Sequence, residues 1–233
     1  MEIKKLIALL ALFITLFLLT SFIILGSFMD GKREQFLDQE FDRMYNDIND
    51  IQLISLVSDT FDDEMVCLAV ESKLQDMDKY IWTLGQKIDQ YRVASEEFTK
   101  DEYYLEQKIR FNEYEVNYFL LMKSMVQRCN MSKSIVLFFY QNSEDCRKCD
   151  DQSFILTDIK RMDEQNKLNE VAIFSFDMDL GISSLDVLKR YYKVTEYPCI
   201  VVDEETYCGI QDKTTLLKKM CDTDHNLTVC TDV

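Results

Sequence analysis

Cys146-Arg147-Lys148-Cys149 is the segment of this 233-residue chain whose residue types and spacing can most directly do chemistry. Cysteines three residues apart lie about one turn apart when a helix opens at the first of them. A helix is expected here, because Phe154, Ile155, Ile159 and Met162 follow with helical spacing. A thiol at a helix N-terminus faces free backbone N–H groups and the positive end of the helix dipole, and both favour its thiolate. Arg147 and Lys148 add positive charge, while Glu144 and Asp145 oppose it. The thiolate is the attacking species of thiol–disulfide exchange. Cys146 is therefore assigned as nucleophile and Cys149, one turn deeper, as resolving thiol. Metal binding is the competing use of such a pair. Structural zinc takes four ligands, no second Cys-x-x-Cys exists and there is a single histidine, His225, so neither a metal nor a cofactor is assigned.

Around this pair the chain reads as alternating strands and helices. Ser134 to Tyr140 is a continuous apolar run rich in β-branched and aromatic residues, the pattern of a strand buried on both faces. A second such run is Val171 to Phe176, followed by a short helix at Ser184 to Tyr192. Val194 to Val202 reads as a strand opened by Pro198, the chain's one proline. A turn at Asp203 to Glu205 returns a strand through Tyr207 and Cys208 to Gly209, and Leu216, Leu217 and Met220 mark a last helix.

This order, with Cys146, Cys149, Pro198 and Gly209 in place, resembles the thioredoxin fold over residues 131–222. The resemblance implies an α/β domain whose mixed sheet is flanked by helices. It implies a cis Tyr197–Pro198 bond facing the redox cysteines, with Tyr197 and Pro198 on the substrate-binding side. It also implies a thiol–disulfide oxidoreductase that acts on cysteine-containing client proteins and is served by a membrane redox partner. Two positions depart from the family. Asp145 stands where thioredoxins often carry Trp, and Arg147-Lys148 replaces Gly-Pro, so a general reductase of the cytosolic type is not implied. A non-catalytic thioredoxin-like interaction scaffold with structural disulfides is the alternative function.

Residues 32–130 lack proline and hold one glycine, Gly85, a composition that favours helix. Phe36, Leu37, Phe41, Met44, Tyr45, Ile48 and Ile51 form one apolar stripe. Cys67, Leu68, Leu74, Met77, Tyr80, Ile81, Leu84, Ile88 and Tyr91 form a second, and Tyr104, Leu105, Ile109, Val116, Phe119, Leu120, Met122 and Val126 a third. Thr99 with Glu102 reads as a capping box that opens the third helix. The stripes read as the core of a long antiparallel hairpin; self-association along a coiled-coil-like face is their alternative use. Cys67 and Cys129 each lie 31 residues from a turn at residue 98. Helices of equal rise bring both to the same end of the hairpin, where a structural disulfide is expected.

Leu6 to Met29 carries no charge and exceeds the about 20 apolar residues that cross a bilayer as a helix. It is read as an uncleaved anchor; a signal peptide cleaved near Gly26–Ser27 is the alternative. Lys4 and Lys5 before the span nearly balance Lys32 and Arg33 after it, so charge orients the helix weakly. Eight cysteines fit an oxidising compartment, which places the bulk of the chain outside. The expected organisation is a cytoplasmic tail at 1–5, an anchor at 6–29 in the lipid bilayer, a helical domain at 30–130 and a thioredoxin-like domain at 131–233. Cys199 reads as a buried structural cysteine, and with Cys208, Cys221 and Cys230 it allows three full pairings. Asn130 and Asn226 head glycosylation sequons. The formal net charge of −16 repels phosphate backbones and excludes nucleic acid as a partner.

Overall fold

A computed structural model describes residues 2–57, 63–94, 102–142, 146–166, 168–223, 227–228 and 230. Thr99, Glu144, Asp145, His225 and Asn226 lie outside the described residues. The helices are α1 (Glu2–Val57), α2 (Asp63–Ala94), α3 (Glu102–Cys129), α4 (Arg147–Gln165), α5 (Ser183–Tyr191) and α6 (Lys213–Thr223). The strands are β1 (Ser134–Tyr140), β2 (Val171–Asp177), β3 (Cys199–Val202) and β4 (Glu205–Cys208), and a 3-10 turn spans Met178–Leu180. The chain divides into two compact units, Met1–Arg43 and Met44–Val233.

The described residues of the first unit, 2–43, are all helical. Its segment Leu9–Phe28 is long and apolar enough to cross a membrane, and none of it is buried. Phe17, Phe22, Ile23 and Ile24 each expose about 70% of their surface. The polar groups in the span are turned inward on the helix: the Thr15 hydroxyl donates to the Leu12 carbonyl and that of Thr20 to the Phe17 carbonyl, both at 2.9 Å. A hydroxyl bonded in this way adds little polarity to an apolar surface. α1 continues without a break past Gly26 and Gly31; each costs about 1 kcal/mol relative to alanine, and no proline removes a backbone donor.

The second unit is α/β, built on a four-stranded mixed sheet of order β2-β1-β3-β4. β1 pairs parallel with β2 and antiparallel with β3, and β3 pairs antiparallel with β4. Alternation along β1 sends Val136 and Phe138 to one face, where they pack with Leu156 and Ile159 of α4 and Leu216 and Met220 of α6. On β2 the opposite set, Phe174 and Phe176, is fully buried, and Tyr118 and Phe119 of α3 meet Phe174 with ring centroids 5.5 and 5.7 Å apart. Helical cover on both faces is why β1 and β2 read as unbroken apolar runs.

α2 and α3 pack against each other. Val70, Leu74, Met77, Ile81 and Leu84 are buried along α2, as are Phe111, Phe119, Met122 and Met125 along α3. Gly85 lets them approach closely: a Cβ there would stand 3.0 Å from the Phe111 ring. Cys67 and Cys129 are joined by a disulfide with Cα atoms 5.5 Å apart. Asn130 then stops α3 at φ +48°, and the Met131 N–H reaches back to the Val126 carbonyl at 3.1 Å, a Schellman ending.

Buried charge ties α2 to the sheet and α4. Lys160 donates to Asp78 and to the Val171 carbonyl, both at 2.7 Å, and lies 3.4 Å from Asp163. Lys133 stands 3.8 Å from Asp78, and burial pushes its pKa below the usual lysine value against the pull of that carboxylate. Two α3 side chains also close the outer edge of β2. Glu115 accepts from the Ser175 N–H at 3.0 Å and Asn112 from the Asp177 N–H at 2.9 Å. These acceptors occupy the donors that an open edge strand presents to other chains.

Six residues of the expected apolar stripes face solvent: Phe36 is 36% exposed, Tyr45 60%, Leu68 72%, Leu105 38%, Leu120 52% and Phe154 74%. The strand expected from Val194 begins only at Cys199; residues 196–198 bend instead. A cis Tyr197–Pro198 bond and the absence of a proline N–H break the ladder there.

Candidate functional site

β1 ends at Tyr140 and delivers the chain toward the start of α4, where Cys146 is the N-cap. Cys146 and Cys149 form a disulfide with Cα atoms 5.3 Å apart, a separation set by one helical turn. Both residues are buried, Cys146 at 7% exposure and Cys149 at 2%. The Cys146 side chain makes no capping hydrogen bond in this bridged state. Arg147 and Lys148 are exposed on the first turn of α4.

The approach to Cys146 is held by residues that periodicity does not reveal. The Cys146 N–H donates to the Asn142 carbonyl at 2.9 Å. Asn142 is itself fixed by Asp179, which accepts from its backbone N–H at 2.7 Å and its side-chain amide at 2.8 Å. Asp179 also takes a hydrogen bond from Gln141 at 3.0 Å. Lys108 of α3 pairs with the fully buried Asp177 at the end of β2 and lies 3.4 Å from Asn142 Oδ1. On the far side of α4, buried Gln152 bonds the Gln211 backbone in both directions, at 2.7 and 3.2 Å, anchoring the helix to the segment before α6.

Tyr197 is half-buried against the same core cluster that holds Cys146, Cys149, Phe138 and Ile200. Pro198 is buried and its carbonyl accepts from the Gly209 N–H at 2.8 Å. The β1–β3 register pairs Phe139 with Cys199, so Pro198 falls level with Tyr140 at the end of β1 from which the chain runs to Cys146. Cys199 is fully buried and takes no part in that cluster. It stands directly opposite Cys208 in the β3–β4 ladder and is bonded to it. Cys221 and Cys230 close the fourth disulfide, which leaves no free cysteine. Cys67 and Cys129 belong to the hairpin and lie outside the cluster of Cys146 and Cys149. Among the described residues no group of three or more His, Cys, Asp and Glu side chains is placed to hold a metal ion.

Beside the pair, α2, α3, α4, β1 and β2 enclose a cleft of about 170 Å³ lined by Cys149, Lys108, Asn112 and Glu115 among aromatic and aliphatic side chains. Burial raises the Glu115 pKa well above the usual glutamate value, and the Ser175 hydrogen bond only partly offsets this. Lys108, Asn112 and Glu115 recur at four- and three-residue spacing in register with Phe111 and Phe119. Polar residues on the apolar stripe of α3 are the signal by which a sequence reading could have found them.

No protein-family model matches this chain, and neither a curated protein nor a solved structure matches it.

Proposed function

We propose that the sheet domain is thioredoxin-like and exchanges thiols and disulfides with cysteine-containing proteins through Cys146 and Cys149. The observation that carries this reading is the bridge at the first turn of α4, beyond the end of β1, with Cys146 at the N-cap. A strand order of β2-β1-β3-β4 and a cis proline at the head of β3 support it. In the reducing direction the Cys146 thiolate attacks a client disulfide, forms a mixed disulfide and expels one client thiolate. The Cys149 thiolate then attacks the Cys146 sulfur and expels the second. Two electrons pass from the pair to the client, and the oxidising direction runs through the same mixed disulfide in reverse. First-turn N–H groups of α4 and the charges of Arg147 and Lys148 stabilise the Cys146 thiolate. Tyr197 and Pro198 line the side on which the client docks.

The Leu9–Phe28 helix is the anchor in this reading, with the short tail 1–5 in the cytoplasm and the chain after Met29 on the oxidising side of the membrane. Four disulfides fit that compartment. A membrane redox partner returns the pair to its working state.

A scaffold reading draws on the near-complete burial of Cys149, which suits a structural bridge. Trapping separates the two. Cys149→Ser, made in the native membrane, should accumulate mixed disulfides on Cys146 in non-reducing electrophoresis, and Cys146→Ser should accumulate none. Absence of adducts in both variants, with no exchange between the unmodified chain and a model dithiol, would leave the scaffold reading standing.

A further inference from the structure

The cleft beside Cys149 has the size and walls of a ligand site. Its volume of about 170 Å³ is close to the roughly 150 Å³ of an apolar protein cavity that admits benzene. Ile81 and Trp82 of α2, Phe111 of α3, Phe138 of β1 and Ile173 of β2 supply an apolar lining. One polar group in this lining is left without a partner. Glu115 is 3% exposed; its Oε1 accepts from Ser175, and its Oε2 is buried with no hydrogen bond. An unpaired buried oxygen costs about 1–3 kcal/mol, which a ligand able to pair with it recovers.

We propose that this cleft binds a small neutral aromatic alcohol, with its ring against Trp82, Phe111 and Phe138 and its hydroxyl paired with Glu115 Oε2. A hydroxyl both donates and accepts, so it satisfies the carboxyl with or without its proton. Burial favours the protonated form of Glu115, and a carboxylate ligand would set a second acid beside it. An anionic ligand finds no free counter-ion in Lys108, whose charge is already met by Asp177, and a cationic ligand would meet that ammonium as a like charge. An aromatic hydrocarbon would fit the walls but leave Oε2 unpaired.

The site makes its own reporter, because Trp82 is the single tryptophan of the chain. Binding does not require exchange at the cysteines, so the measurement uses the full-length chain in detergent with all bridges intact. Phenol should change Trp82 emission saturably, and toluene and benzoate should bind at least about tenfold more weakly. Ser153 lines the cleft from an exposed position on α4, so Ser153→Phe should abolish the phenol response while leaving the fold intact. Three results would each overturn the proposal: no saturable response to phenol, equal affinity for phenol and toluene, or phenol binding unchanged in Ser153→Phe.

Discussion

Replacing both Cys67 and Cys129 with alanine removes the one disulfide that closes a long loop. The two residues are 62 positions apart, and both are half-buried, so little packing is lost with the sulfurs. The chain-entropy relation for a loop of that length gives about 4 kcal/mol of stabilisation. The same relation gives about 2.5 kcal/mol for Cys221–Cys230, where the separation is 9. Urea unfolding of the full-length chain in detergent, followed by Trp82 emission, reads both losses from the α2–α3 hairpin and its surroundings. With a slope of about 2 kcal/mol per molar urea, the Cys67→Ala, Cys129→Ala variant should lose about 2 M from its midpoint. The Cys221→Ala, Cys230→Ala variant should lose clearly less. A loss under about 1 kcal/mol for the long loop, or a larger loss for the short one, would refute the argument that the hairpin bridge acts by restricting the unfolded chain.

The buried carboxyl gives a pH prediction. The folded-state pKa of Glu115 is raised above its ordinary 4.5, so folding retains a proton there that the unfolded chain has released. Its contribution is complete below the unfolded value and is lost as pH rises toward the folded one, by about 1.4 kcal/mol for each unit of elevation. Glu115→Gln does not titrate and keeps an acceptor for Ser175, so it should gain stability relative to the unmodified chain as pH is raised from 4.5 to 8. Denaturant unfolding at the two pH values checks this, and a difference that stays flat would count against a buried, proton-holding Glu115. The outward topology predicts that protease added to intact spheroplasts digests the folded domain; full protection would reverse the orientation.

Much of this molecule is written in local pattern. A helix repeats every 3.6 residues and a strand every two, so the stripes of α2 and α3 and the apolar runs of β1 and β2 mark their elements without any knowledge of their neighbours. The span Leu9–Phe28 and the Cys146-x-x-Cys149 spacing are local in the same sense. Uniform helical rise even carries one long-range statement, that Cys67 and Cys129 stand at one end of the hairpin. Other features depend on which elements become neighbours. Four cysteines allow three pairings, and the β3–β4 register decides among them by setting Cys199 opposite Cys208. Phe154 is apolar and helical yet 74% exposed, which its local pattern does not foretell. Lys108, Asn112 and Glu115 gain their roles only because α3 lies along the edge of β2, where Asp177 and the N–H groups of Ser175 and Asp177 await partners. A buried charge or an open strand edge is a property of two elements together. Sequence therefore determined the helices, the strands β1 and β2 and the spacing of Cys146 and Cys149, while tertiary packing alone decided which polar groups meet inside the fold.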